Sequence, residues 1–205
     1  MAEKTLAAIK ELKEKSKKRN FSQSFDLIIT FKEFNVKKPE NKFSEDFVLP
    51  HGKGKEAEVV VFSDNIKDVD CKVLKTEDVN KLADSKRDSK KFISKTDFFL
   101  AEPNMMPLIG KRLGIYLGPR GKMPKLISGD VKKMIKNLKK SIRIKVKDSP
   151  VIQCPVGKEN MKDEEVRENI EAIIKFLEKK LPKGKHNMGK IVLKLTMSKP
   201  VKIEV

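Results

Sequence analysis

The sequence has few cysteines, and they are not arranged as metal ligands or as a disulfide framework. Cys71 and Cys154 are the two cysteines among 205 residues, and neither belongs to a CxxC pair. Zinc ligands usually come in close pairs, so a site that combined these cysteines with His51 and His186 would need the fold to gather four distant residues. We therefore predict no metal site, and isolated core or surface roles for these residues.

Long apolar stretches are also missing. No uninterrupted apolar run approaches the roughly 20 residues that a membrane-spanning helix needs. The N-terminal stretch MAEKTLAAIKELKEK is charged throughout and lacks the apolar centre of a secretion signal. These two absences predict a cytoplasmic protein with no membrane partner.

The glycine-rich stretches do not match nucleotide-binding motifs. HGKGK at 51–55 lacks P-loop spacing, and in GPRGKMP at 118–124 the Gly-Lys pair is followed by methionine where serine or threonine is required. The glycines of the second stretch do not open a helix behind a strand, as a dinucleotide fingerprint would. Neither histidine neighbours a nucleophile in a known catalytic arrangement. We therefore predict neither an enzyme nor a cofactor.

Positive charge is abundant. The formal net charge is +18 and the sequence pI is about 9.8. Such a surface attracts polyanions, and nucleic acid leads the candidates ahead of an anionic membrane surface. Residues 51–146 hold 23 Lys and Arg against 12 Asp and Glu, and the remaining residues hold 24 against 17. Charge alone therefore does not locate a binding surface.

The two ends of the chain share one pattern, a helix followed or flanked by alternating strands. Apolar residues at three-residue steps predict the first helix, which ends in the basic run Lys17-Lys18-Arg19. Strict alternation predicts half-buried strands, with Met197 continuing the alternation of the penultimate one. The predicted elements are helices at 5–19 and 163–181, and strands at 25–31, 47–49, 150–156, 191–197 and 201–205.

The middle of the chain alternates short apolar runs with helical patterns. Its run EVVVF is typical of a strand that is covered on both faces. Pro103 suits the first turn of a helix, and Asp130 suits either the N-cap or the first turn of the last helix of this segment. The predicted elements are strands at 58–62, 71–74 and 97–101, and helices at 76–84, 86–95, 103–113 and 130–140.

This change of pattern predicts two domains. Residues 1–50 and 147–205 would form an α+β domain that contains both termini, and residues 51–146 would form an α/β domain inserted into it.

Two segments have residue types suited to RNA. Arg19, Asn20, Phe21, Ser22 and Gln23 combine basic, aromatic, hydroxyl and amide groups, which can contact phosphate, stack on bases and bond the 2′-hydroxyl. The alternative is that Phe21 only joins the helix to the sheet. The second segment is 194–199, KLTMSK, where a strand enters a turn, and its alternative is a plain hairpin.

Several longer strings resemble one protein family. The strings are RNFSQSFDLI, KKPENKF, VLPHGKGKE, MMPLIGKRLGIYLGPRGKMPK, PVGKENM, ENIEAII and KLTMSKPVKIEV. From about residue 17 to the end, they resemble the archaeal and eukaryotic branch of the ribosomal protein L-one family. The resemblance implies two domains, with both termini in the first and a Rossmann-like second domain inserted.

The resemblance also implies a role. Family members are structural constituents of the large ribosomal subunit, bind a helical junction of its rRNA, form the mobile side stalk and help deacylated tRNA leave the exit site. Some members repress translation by binding their own messenger RNA. The expected partners are therefore rRNA, exit-site tRNA, the ribosome and this messenger RNA, for a protein that is monomeric when free.

The resemblance places the principal RNA surface in the first domain. It assigns Asn20 and Phe21, with Arg19 and Gln23 beside them, together with Thr196, Met197 and Ser198, and it puts Lys190 near another contact position. Arg120, Lys122 and Lys125 are candidates for a secondary RNA contact, beside a structural role for their loop.

Two departures from the family pattern affect the expected affinity more than the fold. Ser198 stands where the family usually has glycine, so either a positive φ is carried at some cost or the turn is rebuilt. Asn20 replaces a cation found in other branches, for which Lys18 and Arg19 would compensate.

Two other classes of function remain as alternatives. An enzyme acting on a nucleotide-like substrate should bind a small ligand tightly and turn it over. A nonspecific nucleic-acid chaperone should bind unrelated RNA as well as rRNA, with a steep dependence on salt.

Overall fold

The protein has mixed α and β structure, shown here by a computed structural model that describes residues 2–17, 19–66 and 69–203. Its helices are α1 (Ala2–Lys15), α2 (Thr76–Asp84), α3 (Lys86–Lys95), α4 (Met106–Leu117), α5 (Val131–Lys139) and α6 (Asp163–Lys180). Its strands are β1 (Ser24–Phe31), β2 (Phe43–Val48), β3 (Val59–Phe62), β4 (Lys72–Leu74), β5 (Phe98–Ala101), β6 (Lys125–Leu126), β7 (Ser141–Val146), β8 (Val151–Lys158), β9 (Met188–Leu195) and β10 (Val201–Ile203).

The chain divides into two compact units. The first unit is Met1–Glu56 with Lys140–Val205, and the second unit is Ala57–Lys139. The mixed α and β content predicted from the sequence is confirmed. The predicted arrangement of an α+β domain, 1–50 with 147–205, around an inserted domain, 51–146, stays a prediction.

The first unit is built on an antiparallel sheet with the strand order β10-β9-β1-β8. Strand β1 is central, and its residues alternate between buried and half-buried, which confirms the predicted period of two. Phe25, Leu27 and Ile29 on its inner face are fully buried. The inner face of the sheet therefore forms one wall of the core.

Helices α1 and α6 cover this inner face. Ile9 and Leu12 of α1 are buried in the same core cluster as the sheet residues. The apolar stripe predicted for α6 is confirmed, because all its members are buried: Val166, Ile170, Ile173, Ile174 and Leu177. This spacing keeps one face of the helix on the sheet over its whole length.

A separate antiparallel pair, β2 with β7, completes the first unit. Strand β7 is missing from the sequence prediction, although Ile142, Ile144 and Val146 alternate with polar residues and are buried. The strand β2 was expected over 47–49 and in fact begins at Phe43. The pair therefore places Ser141–Val146 in the first unit.

Two predictions at element ends need correction. Helix α1 ends at Lys15 and not at Arg19, because the hydroxyl of Ser16 donates to the carbonyl of Lys13 and closes the last turn. Lys18, in the basic run, lies outside the described residues. Met197 is not part of β9, which ends at Leu195, and the last two positions of the predicted strand 201–205 lie outside the described residues.

The second unit contains a parallel sheet with the order β4-β3-β5-β6. All four residues of β3 are buried, as expected for a strand covered on both faces. Helices α2, α3 and α4 share a core cluster with Val60 and Phe62, and α5 shares another with Val59 and Val61. Because successive side chains point to opposite faces, α2–α4 and α5 lie on opposite sides of the sheet.

The helices of the second unit largely match their predictions. Those predicted at 76–84 and 86–95 are confirmed. The one predicted at 103–113 begins as a 3₁₀ turn, Pro103–Met105, and continues as α4 to Leu117. Asp130 caps α5, since its carboxylate accepts the N–H groups of Lys132 at 3.0 Å and Lys133 at 3.4 Å. The two-residue strand β6 was not predicted.

The HGKGK string is anchored to the first unit by a buried amide on α6. The side chain of Asn169 is fully buried, and its Nδ2 donates to the carbonyls of Gly52 and Val156, each at 2.8 Å. Its Oδ1 accepts the N–H of His51 at 3.1 Å. Gly52 and Gly54 have positive φ values of 69° and 78°, which explains the glycines at these positions.

We predict that Asn169→Ala destabilises the protein by about 3 kcal/mol, because it leaves the backbone N–H of His51 and the buried carbonyls of Gly52 and Val156 without this partner. Chemical denaturation of both proteins measures this difference. Asn160→Ala, at an exposed asparagine, is the control and should change the free energy of unfolding by less than about 0.5 kcal/mol. Equal effects of the two substitutions would contradict the anchoring role.

Candidate nucleic-acid interface

The two segments expected to bind RNA meet at one corner of the first unit. The N–H of Ser24 donates to Oγ1 of Thr196 at 3.1 Å, and the N–H of Thr196 donates to the carbonyl of Ser24, also at 3.1 Å. These residues are 172 positions apart in the chain. Pairing of β1 with β9 places them together, because Phe25 lies opposite Leu195 in the antiparallel register. We call residues 19–24 and 196–198 the corner.

Gln23 is a buried residue of the corner and holds its two segments together. Its side chain is 1% exposed, and its Oε1 accepts the N–H of Met197 at 3.1 Å. The carbonyl of Gln23 accepts the N–H of Glu159 at 2.9 Å. In this structure, then, the Gln23 amide is directed inward to support the turn, and it does not reach solvent as a direct contact to RNA requires.

Ser198 closes the turn between β9 and β10 with its own side chain. Its Oγ accepts the N–H of Leu195 at 2.9 Å, and its N–H donates to the carbonyl of Leu195 at 3.1 Å. Among the described residues, Glu33 is the non-glycine residue with a positive φ. The serine therefore fits this turn without left-handed backbone, and its hydroxyl supplies a bond that glycine lacks.

The corner displays two large apolar side chains. Phe21 is 51% exposed and Met197 is 62% exposed, whereas most large apolar residues of this unit are buried. Arg19 and Asn20 are exposed beside Phe21 in sequence. An exposed aromatic ring next to a guanidinium and an amide is a combination that can stack on a base and contact a phosphate.

Lys194 and Asp26 set the charge next to the corner. They lie opposite each other on β9 and β1, and the Lys194 ammonium donates to the carbonyl of Thr196 at 3.3 Å. Partial burial raises the pKa of the Asp26 carboxyl above its ordinary value, and the positive charge of Lys194 opposes that shift.

Lys190 does not belong to the corner. It lies six positions before Thr196 on an extended strand, which corresponds to a separation of about 20 Å. Its backbone N–H donates to Oγ1 of Thr30 at 2.8 Å, and its side chain is exposed. Lys190 would therefore contact a bound RNA at a different point from Phe21.

The GPRGKMP loop of the second unit is fastened to the end of α3. The ammonium of Lys122 donates to three backbone carbonyls, those of Ile93 at 2.9 Å, Ser94 at 3.4 Å and Thr96 at 2.6 Å. Since an ammonium has three donors, these bonds engage all of them and give Lys122 a structural role. Arg120 donates from Nη1 to the carbonyl of Lys90 at 3.1 Å, and Lys125 is exposed on β6.

Sequence reasoning missed Ser24 as part of the corner and Glu159 as a residue that contacts it. Their contacts join residues that are more than a hundred positions apart, so no local pattern marks them. The buried position of Gln23 was missed for the same reason. The one feature of the sequence that could have indicated the burial of Gln23 is its position directly before a strand of alternating apolar and polar residues.

The structure supports no metal centre among the residues it describes, since no group of three or more His, Cys, Asp or Glu side chains comes together there. Burial raises the pKa of the Cys154 thiol to about 12, which makes it a poor ligand and nucleophile. None of the described helices is long and apolar enough to cross a membrane.

Comparison with known proteins identifies the family. The model of the Ribosomal protein L1p/L10e family matches residues 12–199, so the chain belongs to this family. It is similar to large ribosomal subunit protein uL1 of Methanocaldococcus jannaschii, with 40% identity over 98% of this chain and 95% of the relative. The protein of the same name from Methanocella arvoryzae is 44% identical over 97% of each chain. The one from Methanobrevibacter smithii is 38% identical over 99% of this chain and all of the relative.

We predict that Ser198→Gly lowers the free energy of unfolding by about 1 kcal/mol, because the bond from Leu195 to the serine hydroxyl is lost and glycine gains freedom in the unfolded chain. Thermal or urea unfolding measures the change. The control is Ser198→Ala, which removes the hydroxyl alone and should account for part of the loss. A more stable glycine variant would show that the serine is strained in this turn.

Proposed function

We propose that this protein is a structural constituent of the large ribosomal subunit and binds rRNA of that subunit through the corner. One observation carries the proposal. Hydrogen bonds of Gln23 and Ser24 join two distant segments, and Ser198 closes the turn of the second segment. Phe21 and Met197, one in each segment, remain exposed. A folded monomer gains nothing from exposing these two side chains, and a rigid site gains affinity because less conformational freedom is lost on binding.

Each exposed group has a defined part in this proposal. Phe21 offers a ring for stacking on a base, and Met197 offers an apolar surface against a ribose. Arg19 and Asn20 contact phosphates, and Thr196 presents its hydroxyl and backbone to the sugar edge. Gln23 and Ser198 position the turn, and Lys190 contacts the RNA further along β9. The surface thus combines phosphate contacts with groups that distinguish one RNA structure from another.

The family supports this assignment. The three relatives described above are named large ribosomal subunit proteins, and each aligns over nearly its whole length. We extend the proposal to the mobile side stalk and to the release of deacylated tRNA from the exit site. Binding of its own messenger RNA, with repression of its translation, belongs to the same proposal if that RNA presents a similar fold to the corner.

The two compact units are the two domains of this proposal. The first unit, which contains both chain ends, is the α+β RNA-binding domain. The second unit has four parallel strands with helices on both faces, which is the arrangement of a Rossmann-like domain. Its GPRGKMP loop does not act as a phosphate cradle, because Lys122 binds backbone carbonyls of the same unit.

The proposal can be tested by titrating the full chain with a short rRNA fragment that contains the stalk junction, beside a scrambled hairpin of equal length, across a range of salt concentrations. We expect a preference for the junction of several kcal/mol that persists at about 0.2 M salt. Equal binding of both RNAs that disappears with salt would instead indicate a nonspecific chaperone. Turnover of a nucleotide-like ligand would instead indicate that the protein is an enzyme.

Substitutions at the corner sharpen this test. We expect Phe21→Ala to weaken binding to the junction by about tenfold, equivalent to one stacking contact, with little change in thermal unfolding because the ring is half exposed. Thr196→Ala should also weaken binding, and it should cost about 1 kcal/mol of stability through the lost bond to Ser24. Val48→Ala is the matched control, since Val48 is another exposed apolar residue of this unit. Unchanged affinity of both corner variants would contradict the assigned surface.

A further inference from the structure

Half of the exposed large apolar side chains among the described residues lie in one short stretch of the second unit. Ile115 is 77% exposed, Met123 is 44% exposed and Leu126 is 52% exposed. The others are in the first unit: Phe21, Val48 and Met197. A folded monomer gains nothing from keeping a group of large apolar side chains in water, so such a group indicates an interaction surface.

The register of the parallel sheet places Leu126 on the same side as α4. Leu126 lies opposite Ala101 in the pairing of β6 with β5, and Ala101 belongs to the core cluster that α4 shares. Paired residues of neighbouring strands point to the same face of a sheet, so Leu126 points to the side that α4 covers. Lys125 lies opposite Leu100, which packs in the cluster of α5, and it therefore points to the other side.

Helix α4 presents Ile115 beside two cations. Lys111 and Arg112 precede Ile115 by four and three positions, so the three residues are neighbours on the helix surface, and all of them are exposed. Outside the helix backbone and the adjoining residues, no heavy atom lies within 4 Å of the position that a Cβ atom would take at Gly110 or Gly114. This face of α4 is therefore open to close approach by another helix.

The turn after α4 adds Arg120 and Met123 on the same side of the sheet. The turn is fastened to α3, which lies on that side, by the bonds of Lys122 to three carbonyls and of Arg120 to the carbonyl of Lys90. The Lys122 ammonium is fully engaged, whereas the bond to Lys90 uses one of the five donors of the Arg120 guanidinium. We call six residues the α4 surface: Lys111, Arg112, Ile115, Arg120, Met123 and Leu126.

The charge of the α4 surface is entirely positive. Between Glu102 and Asp130 the chain contains no acidic residue, so the three cations of the surface have no carboxylate within their own stretch. Charges across a specific interface are complementary in sign. A partner that covers this surface therefore carries negative charge, either as phosphate or as carboxylate.

The uncharged side chains of the α4 surface favour carboxylate over phosphate. None of the three is aromatic, so none can stack on a base as the exposed ring of Phe21 can. From Met106 to Ile127 the sequence contains no Asn, Gln, Ser or Thr, the side chains that bond base edges and 2′-hydroxyls. Arginine and methionine are enriched in protein–protein interfaces, where the flexible methionine side chain adapts to the partner. The α4 surface thus has the composition of a protein-docking site.

We propose that the α4 surface binds an acidic amphipathic helix of another protein. This partner lies outside the function proposed above, and the inference does not depend on that function. The three apolar side chains receive the apolar face of the helix, and the three cations pair with carboxylates along its edges. The positions without side chains at Gly110 and Gly114 let the partner helix approach α4 closely.

The test titrates the full chain with a labelled synthetic peptide of about 18 residues that has leucines on one helical face and glutamates on the other. A scrambled peptide of the same composition has the same charge and no apolar face. We expect the amphipathic peptide to bind at least about tenfold more tightly than the scrambled one. Equal affinities would show attraction by charge alone and would overturn the proposal.

A charge variant locates the bound peptide. Lys111→Ala with Arg112→Ala should bind the amphipathic peptide about fivefold more weakly, because two exposed ion pairs are lost. The matched control is Lys133→Ala with Lys136→Ala, which removes the same charge from α5 on the opposite side of the sheet and should stay within about twofold. Equal losses in the variant and the control would show diffuse attraction to the whole unit and would count against a site on α4.

An apolar variant, Ile115→Ala with Leu126→Ala, distinguishes a protein partner from RNA. We expect a loss of about tenfold in affinity for the amphipathic peptide, a change below about twofold for a deacylated tRNA, and unchanged thermal unfolding because both side chains are exposed. An equal loss for the peptide and the tRNA would assign the surface to RNA, and an unchanged peptide affinity would remove the apolar side chains from the site. Either result overturns the proposal. Preference for the stalk junction is measured separately, so failure of the peptide experiment and failure of the proposed function are distinct results.

Discussion

The antiparallel pairing of β1 with β9 is the constraint on which the candidate site depends. It brings residues near position 20 against residues near position 196, and backbone and side-chain bonds between Ser24 and Thr196 fix the junction. Beneath them the buried Gln23 amide holds the turn from within. Because Gln23 is buried, its bond to Met197 is costly to break, and Phe21 and Met197 are displayed on a rigid support. The same pairing keeps both ends of the chain in one unit.

A second buried side-chain amide, that of Asn169, explains residues for which the sequence alone indicated no role. Asn169 in ENIEAII and the His51-Gly52 pair in VLPHGKGKE are joined by two hydrogen bonds. Both strings resemble the family, and the contact between them gives a physical reason for the residues they share with it. Gly52 and Gly54 have positive φ values, a backbone conformation that glycine adopts without steric cost.

Much of the fold could be predicted from the sequence because its patterns are local. The stripe of α6 and the alternation of β1 each follow from the period of one element. Strand β7 was missed because it directly follows a helix pattern, and β6 because two residues are too few to show a period. The corner was predicted as two separate segments, since residue types indicate RNA contact. The inward position of Gln23 and the anchoring of Lys122 depend on partners that are distant in sequence, and no local pattern indicates them.

The most direct test of the central claim is to map the RNA contact on the full chain by the changes in its backbone amide NMR signals when the stalk-junction fragment is added. We expect the largest changes at residues 19–24 and 196–198, smaller ones near Lys190, and little change in the GPRGKMP loop. Changes concentrated elsewhere, with the corner unaffected, would contradict the claim that this junction of β1 and β9 is the RNA-binding surface.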